Sequence, residues 1–333
     1  MHCSKKWLYM LLINCLVITL ILSGCHQQTK VAENSQNSAT RLIVTNSDAL
    51  EMIVGLGAAE NIVGVNDNMG TLTFADTESR NWSSIGNWQN PNIEAVVNLN
   101  PDVVIAYQRW PDPAGFDDKL KPFNISVERI NCFYMSEYQS DIHRLAALVG
   151  RENMADTMVY DFERIVNMLK SRVTDVNVKK TVYFERSDFV AMGIETGYHE
   201  MLELANATNI AAKLSIPYPR VSTEWLLEEN PDIIIKIISA DTITIEMYDN
   251  LISRAGWNKL NAVNNGRVYL ISNDICSGPR AMIGSLFIAK WCYPERFADV
   301  NPDDIHSQWL KKYYGVDIEN ITFAINYCCD ENN

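Results

Sequence analysis

The sequence predicts an α/β protein of two β/α lobes, each built on a central and mainly parallel sheet, with one long helix connecting them. Three observations predict it: one helix-turn-strand unit occurs twice, strand and helix patterns alternate around each copy, and a long amphipathic segment separates the two sets. Alternating strands and helices are typical of parallel sheets covered by helices. A chain of 333 residues is also long enough for two domains.

The repeated unit reads IEAVVNLNPDVVIA at residues 93–106 and TEWLLEENPDIIIK at residues 223–236. Apolar residues at helical spacing come first, and Pro101 or Pro231 then ends the helix, because proline has no backbone N–H to donate. The β-branched run that follows is typical of a buried parallel strand. Glu94 and Glu224 hold the same position in the two copies. A duplicated lobe explains this repetition better than chance does.

The N-terminus predicts export. Lys5 and Lys6 precede an apolar run from Trp7 to Leu22, and a positive head, an apolar middle and small residues at the end are typical of a signal peptide. A membrane anchor is the alternative, although the run is short of the roughly 20 residues that span a bilayer. The ending LSGC resembles the lipobox of prokaryotic lipoproteins, which implies a signal peptide over 1–24 and lipidation of Cys25. The polar residues that complete 25–40 predict a flexible tether.

The first lobe is expected over residues 41–150. RLIVTN predicts its first strand, and the next segment predicts a helix that Ser47 or Asp48 could cap. A further strand is expected at residues 125–130, and the helix SDIHRLAALVG ends at Gly150.

The connecting helix is expected over residues 151–175. From Glu152 to Val173 the apolar residues keep helical spacing without glycine or proline, which predicts about six turns. KKTVYFE then starts the second lobe, which we expect over residues 176–317 with a tail over 318–333.

Charge and motifs exclude several function classes. The formal net charge of −13 argues against a nucleic-acid partner, although local arginines could still bind an anionic ligand. The sequence contains no P-loop, no H-E-x-x-H and no G-x-S-x-G motif, so we expect a protein that is not an enzyme. A lipid-anchored hydrolase or redox protein is the alternative.

The cysteines give little information about disulfides or function. Five follow Cys25, so they cannot all pair internally, and no C-x-x-C spacing points to structural zinc. The sequence leaves open the disulfide state of Cys132, Cys276 and Cys292. It also leaves open the role of Cys328 and Cys329.

Several motifs resemble the substrate-binding proteins of ABC importers, and specifically the family for ferric siderophores, haem and cobalamin. The E-x₆-P-D-x-(V/I)-(V/I) unit of that family is matched at residues 94–105 and 224–235. WNKLNAVNNGRVYLI at 257–271, GPRAMIGSLFIAKWCYPERF at 278–297 and WLKKYYGVD at 309–317 match further patterns. The resemblance implies a two-lobed periplasmic-binding-protein fold with one connecting helix.

The resemblance also implies a function. It predicts a monomer that is anchored outside the cytoplasm through Cys25, captures a metal chelate without a cofactor, and delivers it to a permease with its ATPase. An oxyanion such as molybdate or tungstate is the alternative ligand. Glu94 and Glu224 are expected to dock on the permease, one from each lobe, whereas stabilisation of a helix N-terminus is the alternative role.

In open α/β sheets, ligands bind beyond the carboxyl ends of the strands. Arginine offers a planar fork to carboxylate, catecholate or oxyanion groups, and aromatic rings pack on flat ligands. A surface salt bridge is the alternative for any one arginine. No histidine of the mature chain follows an expected strand end, which argues against a bare transition-metal site. The expected ligand-binding residues are Tyr107, Arg109, Trp110, Tyr134, Arg186, Tyr218, Arg220 and Arg280.

Overall fold

The computed structural model describes residues 40–67, 69, 82–240, 242–317 and 322–326. The expected signal peptide, Cys25, nearly all of the tether, Cys328 and Cys329 lie outside these ranges. Within them, no helix combines the length and the apolar character that a membrane crossing requires.

The first lobe contains a five-stranded parallel sheet in the order β3-β2-β1-β6-β7. Alternate residues of β1 face opposite sides: Leu42 and Val44 enter the core shared with the second lobe, while Ile43 packs under the outer helices. The strands are β1 Leu42–Val44, β2 Ile62–Val65, β3 Ser83–Ser84, β6 Val103–Ala106 and β7 Ser126–Arg129, with a separate hairpin of β4 Gly86–Asn87 and β5 Asn90–Pro91.

Four α-helices cover this sheet in the described part of the lobe. The first begins after an Asn46 cap, whose side chain accepts from the backbone N–H groups of Asp48 and Ala49. We had expected Ser47 or Asp48 to be the cap, but neither is. Both side chains are therefore available for other contacts. The helices are α1 Ser47–Gly55, α2 Ile93–Asn98, α3 Pro113–Leu120 and α4 Tyr138–Val149.

The long connecting helix is confirmed as α5, Glu152–Val173. Its buried stripe, which includes Met158, Phe162 and Leu169, has the helical spacing on which the prediction rested. The domain boundaries proposed on either side of it stay a prediction.

The second sheet has six strands, in the order β10-β8-β11-β12-β13, with β9 paired to β8. Its main strands are parallel, while β9 and β13 are antiparallel to their neighbours. The strands are β8 Thr181–Ser187, β9 Val190–Ala191, β10 Thr208–Asn209, β11 Ile233–Ile238, β12 Val268–Ser272 and β13 Ala324–Ile325. The helices are α6 Gly197–Leu204, α7 Thr223–Glu229, α8 Ile245–Ile252, α9 Asn261–Asn264, α10 Ala281–Cys292 and α11 Pro302–Tyr314.

Two residues within the expected tail over 318–333 form a strand, β13. Ala324 and Ile325 pair with Ile271 and Leu270, and Ile325 joins the outer core of the second sheet. Two residues were too short a pattern to identify as a strand from the sequence.

One apolar core runs from one lobe into the other. It contains the inner faces of both sheets and the buried sides of α1, α4, α5, α6, α10 and α11. From the far end of the chain, α11 returns to the first lobe and the connecting helix, where Lys312 Nζ lies 2.6 Å from Asp161 Oδ2. This shared core sets the position of one lobe relative to the other and so shapes the space between their strand ends.

Candidate ligand-binding site

A cavity of about 850 Å³ lies at the carboxyl ends of the strands and is lined by residues of both lobes. Six of the eight expected ligand-binding residues line it: Tyr107, Arg109, Trp110, Tyr134, Arg186 and Tyr218. The strand-end rule therefore located the cavity, because parallel strands of each sheet bring their following loops to one edge.

Aromatic side chains form much of the cavity wall. The rings of Trp88 and Tyr107 meet edge to face at 5.8 Å between centroids, and Trp88 meets Trp110 at 6.4 Å. On the adjoining loop, Phe133 and Tyr134 lie 4.4 Å apart. Trp110 and Tyr218 are each 47% exposed, so a ligand could cover further apolar surface.

Arg109 and Arg186 supply positive charge from opposite lobes. Both are exposed, and neither forms an ion pair with another residue that the structure describes. The Arg186 guanidinium lies over the Tyr218 ring, with 5.4 Å from Cζ to the ring centroid. Their hydrogen-bond donors are thus available to a ligand.

The expectation that all four arginines converge on the cavity is wrong for two of them. Arg220 is exposed but does not line the cavity, and its Nη1 donates to the carbonyl oxygen of Asp188 at 3.5 Å. Arg280 is fully buried beneath the cavity, where Nε donates to Glu51 Oε1 at 2.7 Å. It stands just before α10 and points into the shared core, where the buried Glu51 carboxylate requires a counter-ion.

The ion pair between Glu51 and Arg280 joins the lobes in a buried region, where water screens the two charges little. Burial raises the pKa of Glu51 to about 7, against the opposing effect of Arg280. Burial also lowers the pKa of Arg280, but the Glu51 carboxylate outweighs this, so that pKa is raised. His306 completes the cluster at 3.3 Å from Arg280 Nη1, and burial together with that cation holds its pKa well below the usual range.

The cavity floor carries a polar chain that sequence reasoning did not identify as a site. Its members are Ser47, Asp48, Tyr107 and Ser277, which we call the floor chain. The Tyr107 hydroxyl donates to Asp48 Oδ2 at 3.1 Å, and the Ser277 hydroxyl donates to Asp48 Oδ1 at 2.6 Å. Burial raises the pKa of Asp48. Ser277 belongs to the second lobe, so the chain also crosses between lobes.

Two further contacts join the lobes beside the cavity. Tyr134 Oη donates to the carbonyl oxygen of Glu195 at 3.1 Å. At Gly197, a Cβ atom would collide with the carbonyl oxygen of Phe133, so only glycine permits this backbone approach.

Glu94 and Glu224 are both exposed in the first turns of α2 and α7. Asn92 and Ser222 cap these helices by accepting from backbone N–H groups. Hydrogen bonds from its own backbone and from Ser222 lower the pKa of Glu224. Neither glutamate forms a salt bridge with another described residue, which is compatible with docking and with the helix-start role alike.

Cys132, Cys276 and Cys292 are buried free thiols, and burial raises the pKa of each. Among the residues that the structure describes, no cluster of three or more histidine, cysteine or acidic side chains is suited to a metal ion.

Comparisons with known proteins agree with this architecture. The family model described as periplasmic binding protein matches residues 42–275. An uncharacterized ABC transporter substrate-binding lipoprotein, YvrC of Bacillus subtilis, is 28% identical over 75% of this chain and 78% of its own length. The vitamin B12-binding protein of Vibrio parahaemolyticus is 21% identical over 80% of this chain and 90% of its own.

The molybdate-binding protein MolA of Haemophilus influenzae is 24% identical over 91% of this chain and 95% of its own. Its solved structure, bound to molybdate, has a TM-score of 0.73 at 23% identity and covers 84% of this chain and 94% of that one, which supports the fold. Such proteins bind a small ligand and work with a permease and an ATPase. The chain therefore belongs to the periplasmic binding protein family, as an extracytoplasmic substrate-binding protein of an ABC transporter.

Proposed function

We propose that the protein captures a metal chelate, such as a ferric siderophore, haem or cobalamin, and delivers it to the permease of an ABC importer. The aromatic cavity of about 850 Å³ is the observation that carries this proposal. Cavities of about 300–1,000 Å³ suit ligands of drug size, and this one combines its aromatic rings with many polar side chains. Aromatic faces suit the flat or greasy surface of a chelate, and Arg109 and Arg186 suit its peripheral oxygens.

A tetrahedral oxyanion, molybdate or tungstate, is the second candidate. The similarity to MolA over 95% of that protein's length favours it. The size of the cavity and the buried Asp48 carboxylate at its floor weigh against it, because a small anion requires close donors on all sides.

The proposal includes the rest of the transport system. Cys25 would carry the lipid that holds the protein outside the cytoplasm, and Glu94 and Glu224 would each meet the permease from one lobe. The protein would act as a monomer without catalytic activity, since the ligand is carried and not converted.

Tryptophan fluorescence tests the ligand class directly, because Trp88 and Trp110 line the cavity. Purified protein is titrated with a ferric siderophore, haem, cyanocobalamin, molybdate and tungstate. We expect saturable quenching with one chelate, and we expect Trp88→Phe and Trp110→Phe each to remove part of it.

Trp309→Phe is the matched control, because Trp309 is buried in α11 outside the cavity and should leave the ligand-dependent change intact. If only molybdate or tungstate gives saturable quenching, the ligand is an oxyanion and not a metal chelate. Equal quenching in the Trp88→Phe and Trp110→Phe double variant would show that the ligand binds elsewhere.

A further inference from the structure

Asp48 is an unusual residue to find on the floor of a cavity expected to receive anionic oxygens. It lies in the first turn of α1, is 8% exposed and is one of the residues that line the cavity. Because Tyr107 donates its proton to Asp48, the Ser47 hydroxyl, 3.1 Å from Tyr107 Oη, donates to Tyr107 in turn. The floor chain is thus directed towards Asp48 from both lobes.

Hydrogen bonds from Tyr107, Ser277 and the backbone of Asp48 itself leave acceptor capacity on the carboxylate. Each carboxylate oxygen can accept about two hydrogen bonds. Here Oδ2 accepts from Tyr107 and Oδ1 from Ser277, and both donors are neutral. Asp48 forms no salt bridge with any residue that the structure describes, because the nearby Arg280 guanidinium is engaged by Glu51. Burial raises the pKa of Asp48 and outweighs the charge of Arg280, which lowers it. A further hydrogen-bond donor of positive charge would therefore stabilise the buried carboxylate.

Apart from Asp48, the described charged residues that line the cavity have equal numbers of positive and negative side chains. Glu137 and Glu195 add two carboxylates to Asp48, against the guanidinium groups of Arg109 and Arg186. Among the described residues that line the cavity, these five charged side chains sum to one net negative charge. The exposed arginines suit ligand oxygens near the entrance, whereas the buried Asp48 suits a positive group at the floor. A ligand with many negative charges would meet repulsion there.

We propose that Asp48 accepts a hydrogen bond from a positively charged nitrogen of the ligand, so that the substrate class is a metal chelate of low net negative charge with an ammonium arm. This rests on the proposed function, and it specifies which chelates the cavity selects. The Tyr107 and Ser277 hydroxyls position the Asp48 carboxylate, while Arg109 and Arg186 receive the oxygens at the other end.

Two ferric trihydroxamates that differ in one group test the proposal. One ends in a free primary ammonium, and the other carries the same nitrogen acetylated. We expect the protein to bind the ammonium form at least about tenfold more tightly, since a hydrogen bond between charged groups is stronger than one between neutral groups. Asp48→Asn keeps the shape and should remove this preference. Glu137→Gln removes another carboxylate of the same cavity and should keep the ratio of the two affinities.

Folding and ligand class are controlled separately. An unchanged melting temperature for Asp48→Asn shows that the lost preference is not lost structure. Equal binding of the two chelates by the unaltered protein, or a preference that survives Asp48→Asn, overturns the proposal.

If neither chelate binds, butylammonium and butyrate are titrated in the millimolar range against the unaltered protein and Asp48→Asn. If butylammonium binds, butyrate does not, and Asp48→Asn abolishes the binding, the Asp48 site is supported. The missing binding of the two chelates then counts against hydroxamates as the ligand of the proposed function. No binding of butylammonium overturns the Asp48 site itself.

Discussion

The arginines at the cavity wall and the arginine beneath its floor differ in exposure and in ionic partners. The sequence had predicted the same ligand-binding role for all of them. Arg109 and Arg186 are exposed, with no ionic partner among the described residues. Arg280 is fully buried and joined to Glu51 of the opposite lobe. The comparison teaches that the two positions suit different tasks: the buried charge holds one lobe against the other, whereas the exposed arginines keep the donors that we propose for the ligand.

The largest test of this comparison removes the buried charge. Arg280→Met leaves Glu51 without its counter-ion and should lower the free energy of unfolding by about 3–5 kcal/mol. Urea denaturation measures the loss. Arg220→Met is the matched control, since Arg220 is exposed and a surface substitution changes stability by about 0.5 kcal/mol or less. Similar midpoints for the two variants would contradict a structural role for Arg280.

The second-largest loss of stability should follow from a change at a backbone contact between the lobes. Gly197→Ala places a methyl group against the Phe133 carbonyl oxygen, and the strain should cost about 3 kcal/mol. Gly115→Ala, in α3, is the control. Its new Cβ would meet only Oδ2 of Asp112, which caps α3 by accepting from the Gly115 N–H, so the better helix propensity of alanine is offset and stability should change by about 1 kcal/mol or less. If both variants melt together, the lobes do not depend on this contact.

The pH dependence of stability sharpens the comparison further. Since a guanidinium only donates, His306 Nε2 accepts from Arg280 and the ring proton lies on Nδ1, which has no hydrogen-bond partner in the described structure. The pKa of His306 is depressed, first by burial and then by Arg280. Above the ordinary histidine pKa the ring is neutral in both states. Below about pH 6.5 the unfolded chain takes up a proton at His306 that the folded protein does not, so the contribution of His306 to the free energy of unfolding falls by about 1.4 kcal/mol per pH unit.

His306→Gln retains an acceptor for Arg280 and cannot take up the proton. The difference in unfolding free energy between the unaltered protein and this variant should therefore shrink by about 2 kcal/mol between pH 7.5 and pH 5. Urea melts across this range measure it. A pH-independent difference would mean that the folded protein tolerates a charged His306.

The smallest effect on stability is expected at the docking glutamates. Glu94→Ala and Glu224→Ala should leave folding and ligand affinity nearly unchanged, because both carboxylates are exposed. Transport by the complete importer should fall with each change and furthest with both. Glu228→Ala, an exposed change on the same helix as Glu224, should transport normally. Normal transport by the double variant would leave only the helix-start role.

Periodic patterns were predictable from the sequence, and side-chain direction was not. The apolar spacing from Glu152 to Val173 fixed the connecting helix to the residue, since no glycine or proline interrupts it. The strand-end rule found Tyr107, Arg109 and Arg186 because the first two lie within three residues of the end of β6 and the third lies next to the end of β8. It did not distinguish Arg280, which turns away from the cavity into the shared core.

The missed residues have specific causes. Asp48 looked like a helix cap, but Asn46 takes that position and frees Asp48 for the floor. Its place in TNSD, directly after β1, was the signal that could have found it. Trp88 lies in the turn between β4 and β5, a hairpin too short for periodicity to reveal.

β13 also decides where the second sheet stops. Without it, the backbone N–H and C=O groups of β12, with the sequence VYLIS, would form an open edge that another chain could extend. The edge strand β7 of the first sheet is protected differently, by charged Glu128 and Arg129 in ion pairs with Arg144 and Asp117. A chain shortened after residue 317 would also lose the buried Phe323 from the shared core, and it should self-associate through the exposed β12 edge. This short strand therefore protects the folded protein from association with its own copies.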